Sequence, residues 1–252
     1  MAEPRVVLSA KGLCKDFRGF RAVNEVNIDI REGEIHALIG PNGAGKTTVF
    51  NLLSGFLAPT SGDIVFQGRH ITRMDPAAIA KLGIVRSFQI SSIFPHLSVL
   101  DNVKVALQSQ TDLPHRFWVS ERATSRFDAP ALALLTAVGL DPYARGLAVH
   151  LSYGRKRALE LAISMALEPA VLLLDEPMAG MGAEDVERMT ELVRRFASGR
   201  TVVLVEHNLS VVSALSNRIT VLQRGSVLTE GTYEEVRTNQ QVIDAYLGGQ
   251  EA

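Results

Sequence analysis

The stretch GPNGAGKTT, residues 40–48, lies between the apolar run EIHALIG and the helix-forming run VFNLL, and it narrows the folds open to the chain more than any other feature. Gly, four residues, Gly-Lys-Thr between a strand and a helix is the spacing of a loop that wraps phosphates. Gly40, Gly43 and Gly45 permit backbone conformations closed to other residues, so that successive N–H groups can face phosphate oxygens. Pro41, Asn42, Ala44 and Thr48 complete the loop, Lys46 can reach the terminal phosphates, and Thr47 offers its hydroxyl to Mg²⁺.

Such a loop requires a sheet behind it, and the rest of the chain supplies one. Residues 5–39 are rich in β runs, with alternation in AVNEVNIDI (22–30). A helix is expected from Gly45 to Ser54, then a strand at 62–68, a helix at 76–82 and a strand at 83–89. Residues 90–150 change to helical pieces. One is DAPALALLTAVGL, where Asp128 can cap the start, Pro130 suits the first turn and Gly139 the end. Residues 108–127 read as an irregular polar insertion. Strand and helix then alternate again through VLLLDE, a helix at 183–197, TVVLVEH, a helix at 209–215 and RITVLQ. That pattern predicts a parallel sheet covered on both faces and interrupted by a helical block.

Polar residues at the strand ends extend the phosphate site. VLLLDEP (171–177) places Asp175 and Glu176 at the carboxyl edge of the sheet, where ligands of open α/β sheets bind. Asp175 can hold Mg²⁺ through water, and Glu176 can orient and deprotonate an attacking water. His207, ending TVVLVEHN, is positioned to contact a γ-phosphate or to orient Glu176. The other five histidines read as ordinary core or surface residues. Gln89, closing VRSFQ, can meet Mg²⁺ or the attacking water, with ISSIFPHL beyond it able to pass that contact to the helical block.

The run LSYGRKRALELA (151–162) begins a helix with Arg155, Lys156 and Arg157 at its positive end, where anions and not cations belong. Ser152 is a natural cap and Gly154 permits close approach. The free N–H groups and three cations form an anion receptor, read as the cap on a nucleotide held by a second subunit.

Lys plus Arg number 26 against 27 Asp plus Glu, so net charge gives no reason to expect a nucleic-acid partner. The single cysteine, Cys14, excludes an intramolecular disulfide framework. MAEPRVVLSAKGL does not look like a secretory signal, and apolar runs fall far short of the ~20 residues a bilayer crossing needs. Any membrane connection is expected to run through a partner.

Taken in order, GPNGAGKTT, Gln89, LSYGRKR, VLLLDEP and His207 resemble the ATP-binding subunit of an ABC transporter over nearly the whole chain. The resemblance implies a P-loop NTPase (RecA-like) α/β core with an N-terminal antiparallel β region and an inserted helical subdomain. The core would comprise residues 1–89 and 156–252, and the subdomain 90–155. It further implies ATP and Mg²⁺ as cofactors, Glu176, His207 and Gln89 as catalytic groups, and Thr47, Gln89 and Asp175 around the metal. Ser152, Tyr153 and Gly154 would contact the partner's nucleotide, and Phe17 in KDFRGF matches the aromatic that stacks on adenine.

LSYGRKRALELA, MAGMGAED, the insertion before Asp128 and the ending VIDAYLGG are similar to branched-chain amino acid importer ATPases of the LivG type. That similarity implies permease subunits, a second ATP-binding subunit and, indirectly, a periplasmic solute-binding protein as partners, on the cytoplasmic face of the inner membrane. Ile90, Ile93, Phe94 and Leu97 are candidates for an apolar groove that takes a short helix of the membrane partner. Tyr153 replaces the first glycine of the broad family's signature pair, Arg155 replaces its glutamine, and Gly182 stands where many relatives carry aspartate. Other readings are an ATPase of a lipid or lipopolysaccharide exporter, a soluble ATPase of DNA repair or translation, and a non-hydrolysing regulatory module. The DNA repair or translation reading calls for a long coiled coil or fused nucleotide domains, and the regulatory reading for missing catalytic groups; neither pattern is read in this sequence.

Overall fold

In the computed structural model, which describes residues 4–87, 93–111 and 125–247, the amino-terminal alternation becomes a long hairpin. Its strands are β1 (Val6–Phe17) and β2 (Phe20–Arg31). Arg18 and Gly19 close it with positive φ angles of 44° and 91°, the two-residue turn geometry whose twist suits paired strands. β4 (Ser61–Phe66) pairs antiparallel with β1, and β5 (Arg69–His70) pairs with β4, giving one sheet in the order β2-β1-β4-β5.

The second sheet contains β3 (Ile35–Ile39), β6 (Ile84–Ser87), β7 (Val171–Asp175), β8 (Thr201–Val205), β9 (Arg218–Gln223) and β10 (Ser226–Gly231). Its order is β10-β9-β3-β8-β7-β6, parallel except for the β9–β10 hairpin. β3, β7 and β8 are nearly all apolar because helices and the first sheet cover both faces. Leu38 aligns with Val205, which also aligns with Asp175. The three loops leaving β3, β7 and β8 therefore open at one edge.

Helices α1 (Lys46–Leu53) and α2 (Pro76–Leu82) belong to the first third. The helical block contains α3 (Val99–Ser109), α4 (Asp128–Ala137) and the start of α5 (Tyr153–Ala166). Beyond it come α6 (Ala183–Ala197), α7 (Leu209–Leu215), α8 (Tyr233–Thr238) and α9 (Gln240–Leu247).

Two expectations change. The boundary between residues 155 and 156 falls inside α5, which runs unbroken from the helical block into the core. Its Leu159 and Ala162 share one apolar cluster with Val103 and Leu135 of the block and with Leu172 and Leu204 of the sheet. Asp128 is the first residue of α4 and not its cap, which is Phe127 without a side-chain bond. The Asp128 carboxylate instead pairs with Lys104 Nζ at 2.6 Å. β10, α8 and α9 were not anticipated from the sequence pattern. Most of the insertion expected at 108–127 lies outside the described residues.

Candidate functional site

The phosphate loop owes its shape to contacts that leave no room for side chains. A Cβ on Gly40, whose φ is 148°, would lie 2.2 Å from the Leu222 carbonyl oxygen, and one on Gly45 would lie 2.8 Å from that of Ala22. Gly45 also forms the start of α1 in a left-handed conformation, turning Lys46 and Thr47 into the first helical turn. Lys46 Nζ donates to the carbonyls of Gly40 at 2.8 Å and Pro41 at 3.0 Å. Burial lowers its pKa, while the charges of Glu176 and Asp175 pull the other way. The site thus holds a desolvated cation beside two carboxylates, at the start of a helix that already favours anions.

Asn42, Gly43, Ala44, Gly45, Lys46, Thr47 and Thr48 line a cavity of about 320 Å³, closed on other sides by Phe20, Ala22, Glu176 and His207. His207 Nε2 lies 2.7 Å from Glu176 Oε1. Glu176 itself has φ of 48°, an uncommon conformation for a residue with a side chain and one that clusters at functional sites. Its N–H donates to Val205 O at 2.9 Å, which fixes the turn to the end of β8. Buried Glu206 completes the arrangement: Oε1 accepts from Met178 N at 3.0 Å, and Oε2 from His207 N at 3.1 Å. Burial raises its pKa, and these main-chain donors oppose that shift.

Asp175 also has a protein partner that the sequence pattern did not show. Arg86 Nη2 donates to its Oδ2 at 2.6 Å. Among the described residues, no group of three or more His, Cys, Asp or Glu side chains could hold a metal. Gln89 and Ile90 lie outside the described residues.

Phe17 and Phe20 are direct partners across the hairpin turn, so both project from one face of β1 and β2. Phe17 sits under the Lys15 amine, 5.2 Å from the ring centre, whereas Phe20 lines the phosphate cavity and is 67% exposed. Sequence reasoning missed Phe20 and Glu206. The signals were a second aromatic in KDFRGF and the acid immediately before His207.

The cationic helix start is less open than its sequence suggests. Arg155 stacks over Tyr143 at 4.3 Å, and Arg157 pairs with Glu160 at 2.9 Å. The reading of all three as one receptor for an external anion is therefore corrected, because two are engaged within the chain. Asp185 supplies another internal anion: a Cβ on Gly154 would meet its carboxylate at 2.8 Å. Ser152 is the N-cap residue of α5, is exposed, and makes no side-chain cap hydrogen bond.

Comparisons with known proteins bear on the family and the fold. The family described as "ABC transporter" matches residues 23–179, and "Branched-chain amino acid ATP-binding cassette transporter" matches 226–252. The high-affinity branched-chain amino acid transport ATP-binding protein LivG of Salmonella typhimurium is 40% identical, over 98% of this chain and 99% of its own. BraF of Pseudomonas aeruginosa, described in the same terms, is 37% identical over 97% and 98%. The ADP conformation of MJ1267, an ATP-binding cassette of an ABC transporter, superposes with a TM-score of 0.83 at 26% identity, covering 97% of this chain and 99% of that one. A dimeric post-hydrolysis state of the cassette MJ0796, bound to ADP and Pi, gives 0.75 at 26% identity, covering 90% and 98%.

Proposed function

The chain belongs to the ABC transporter ATP-binding family, and from that premise we propose that it binds and hydrolyses ATP to power import of a branched-chain or related hydrophobic amino acid through a membrane permease. The observation that carries the reading is the Glu176–His207 contact of 2.7 Å in the same cavity as the phosphate loop. A γ-phosphate seated at Lys46 and the loop N–H groups would present its phosphorus toward that pair. Glu176 accepts a proton from water there, and His207, its Nε2 beside Oε1, holds the carboxylate in place.

The residues present fit Mg²⁺. Thr47, itself exposed, lines the cavity, and Asp175 ends β7, two places from β3 in the sheet. Mg²⁺ is commonly held by one or two protein oxygens together with substrate phosphates, so no cage of three side chains is needed. When bound, the ion neutralises phosphate charge. Arg86 orients Asp175 meanwhile, and Phe20, with its hairpin neighbour Phe17, offers an aromatic platform for adenine at the mouth.

The exposed Ser152 and the start of α5 suit the triphosphate of a second ATP-binding subunit, which makes a two-subunit sandwich the working form. Ile93, Pro95, Ala148, Tyr153 and Lys156 line a groove of about 330 Å³, beside which Phe94 and Leu97 are exposed. That groove suits a short helix of the permease. No helix among the described residues is long and apolar enough to cross a membrane. Attachment at the cytoplasmic face is assigned, within this proposal, to the permease contact. Phosphate release from ATP with Mg²⁺, measured on the chain assembled with its permease, tests the proposal. An assembled complex that releases none would overturn it.

A further inference from the structure

We propose that Tyr153 is a positioning residue for hydrolysis, its hydroxyl tying the start of α5 to the turn that carries Glu176. This rests on the ATPase reading above. The Tyr153 hydroxyl donates to the carbonyl of Ala179 at 2.9 Å, and the N–H of Ala179 donates to the carbonyl of Glu176 at 3.0 Å. Two further bonds hold the same turn from β8 and its following loop, Glu176 N to Val205 O and Met178 N to Glu206 Oε1. Tyr153 adds an anchor from the side of the helical block.

The chemistry gives this bond a direction. Arg157 Nη2 and Nε approach the same hydroxyl oxygen at 2.8 and 3.1 Å, and a guanidinium can only donate. The oxygen is therefore the acceptor on that side, and its single hydrogen is committed to Ala179. Buried Glu160 fixes the guanidinium through Nη1. Gly180 adjoins the phenol: a Cβ there would lie 3.6 Å from the hydroxyl oxygen and 3.7 and 3.8 Å from two ring carbons, so the turn passes close to the end of the side chain.

Tyr153 is 48% exposed and also lines the groove assigned to the permease, with Ile93, Pro95 and Ala148. One side chain thus touches the docking groove and the turn of the catalytic glutamate. A shift of the α5 start is passed through the hydroxyl to Ala179, and from there to the main chain of Glu176.

The test is Tyr153→Phe in the full chain assembled with its permease, which removes the hydroxyl and keeps the ring. Loss of one neutral hydrogen bond predicts a kcat lower by roughly three- to tenfold, with the KM for ATP within about twofold of wild type. A purely structural role would lower thermal stability and leave kcat per folded chain unchanged, and that result would overturn the proposal. In a Glu176→Gln background the tyrosine change should cost no further rate, because both act through one carboxylate. Multiplicative losses there would equally overturn it. Absence of turnover in the wild-type assembly would count against the ATPase reading itself, and so is distinguishable from a Tyr153→Phe variant that matches an active wild type.

Discussion

Arg86 on β6 donates to Asp175 on β7 at 2.6 Å, while its guanidinium lies over the Phe50 ring at 4.8 Å. The Arg86 side chain is almost wholly buried. Burial lowers the arginine's pKa, and the Asp175 carboxylate opposes that shift. Replacing Arg86 by Met keeps much of the packing over Phe50 but leaves Asp175 without its cation. Breaking such a pair from one side costs about 3–5 kcal/mol, and urea unfolding should show a loss of that order. A change under about 1 kcal/mol would mean that solvent readily replaces the arginine.

Glu176→Gln keeps the shape of the side chain and its place beside His207 but removes the proton acceptor. Hydrolysis should fall by about 10²- to 10⁴-fold, the usual contribution of a general base, with nucleotide affinity little changed. Phosphate release and equilibrium nucleotide binding, measured on the same preparation, separate the two effects. Turnover at the wild-type rate would remove Glu176 from the base role.

Lys46→Ala should weaken ATP binding about tenfold or more, since a charged hydrogen bond contributes roughly 1.5–3 kcal/mol. The native lysine already bonds to Gly40 and Pro41 carbonyls, so the variant also loosens the loop. Titration calorimetry with ATP and Mg²⁺ provides the check, and unchanged affinity would contradict the loop assignment.

Phe94 is 51% exposed, and its main chain is held by Asn102 and by Leu97 N. Phe94→Asp should therefore leave stability within about 0.5 kcal/mol, as surface changes usually do, and abolish assembly with the permease. Co-purification of the intact complex with the variant would show that residue 94 faces away from the partner.

His36 is 1% exposed in the centre of the sheet, and burial lowers its pKa from 6.5 to about 4. The folded chain therefore keeps this imidazole neutral where the unfolded chain takes up a proton. Stability is full above pH 6.5 and declines as the pH falls toward 4, by an order of 2–3 kcal/mol. A His36→Gln variant should lose that part of the pH slope. Urea unfolding at pH 7 and pH 5 makes the comparison, and parallel losses in both proteins would assign the slope to other groups.

What could be read from the sequence was mostly what short-range periodicity dictates. The apolar runs of β3, β7 and β8 have one comfortable environment, and the glycine loop one comfortable backbone, so the edge that gathers Lys46, Glu176 and His207 was visible in advance. Side-chain partners drawn from remote segments were not. Nothing local in LSYGRKR shows that Tyr143 lies under Arg155, and nothing in VRSFQ shows that Arg86 holds Asp175. Asp128 looked like a cap because Lys104, on another helix, cannot be seen from DAPALALL. Phe20 was passed over because the hairpin's paired register, not its composition, brings it to the cavity.

The unbroken course of α5 makes it a lever. Fourteen residues at about 1.5 Å each give a rod of roughly 21 Å, embedded against the sheet at Ala166 and exposed at Ser152. A tilt of about 3° at the embedded end displaces the tip by roughly 1 Å, enough to make or break a hydrogen bond there. Small adjustments beneath the sheet are in this way magnified where two subunits would meet.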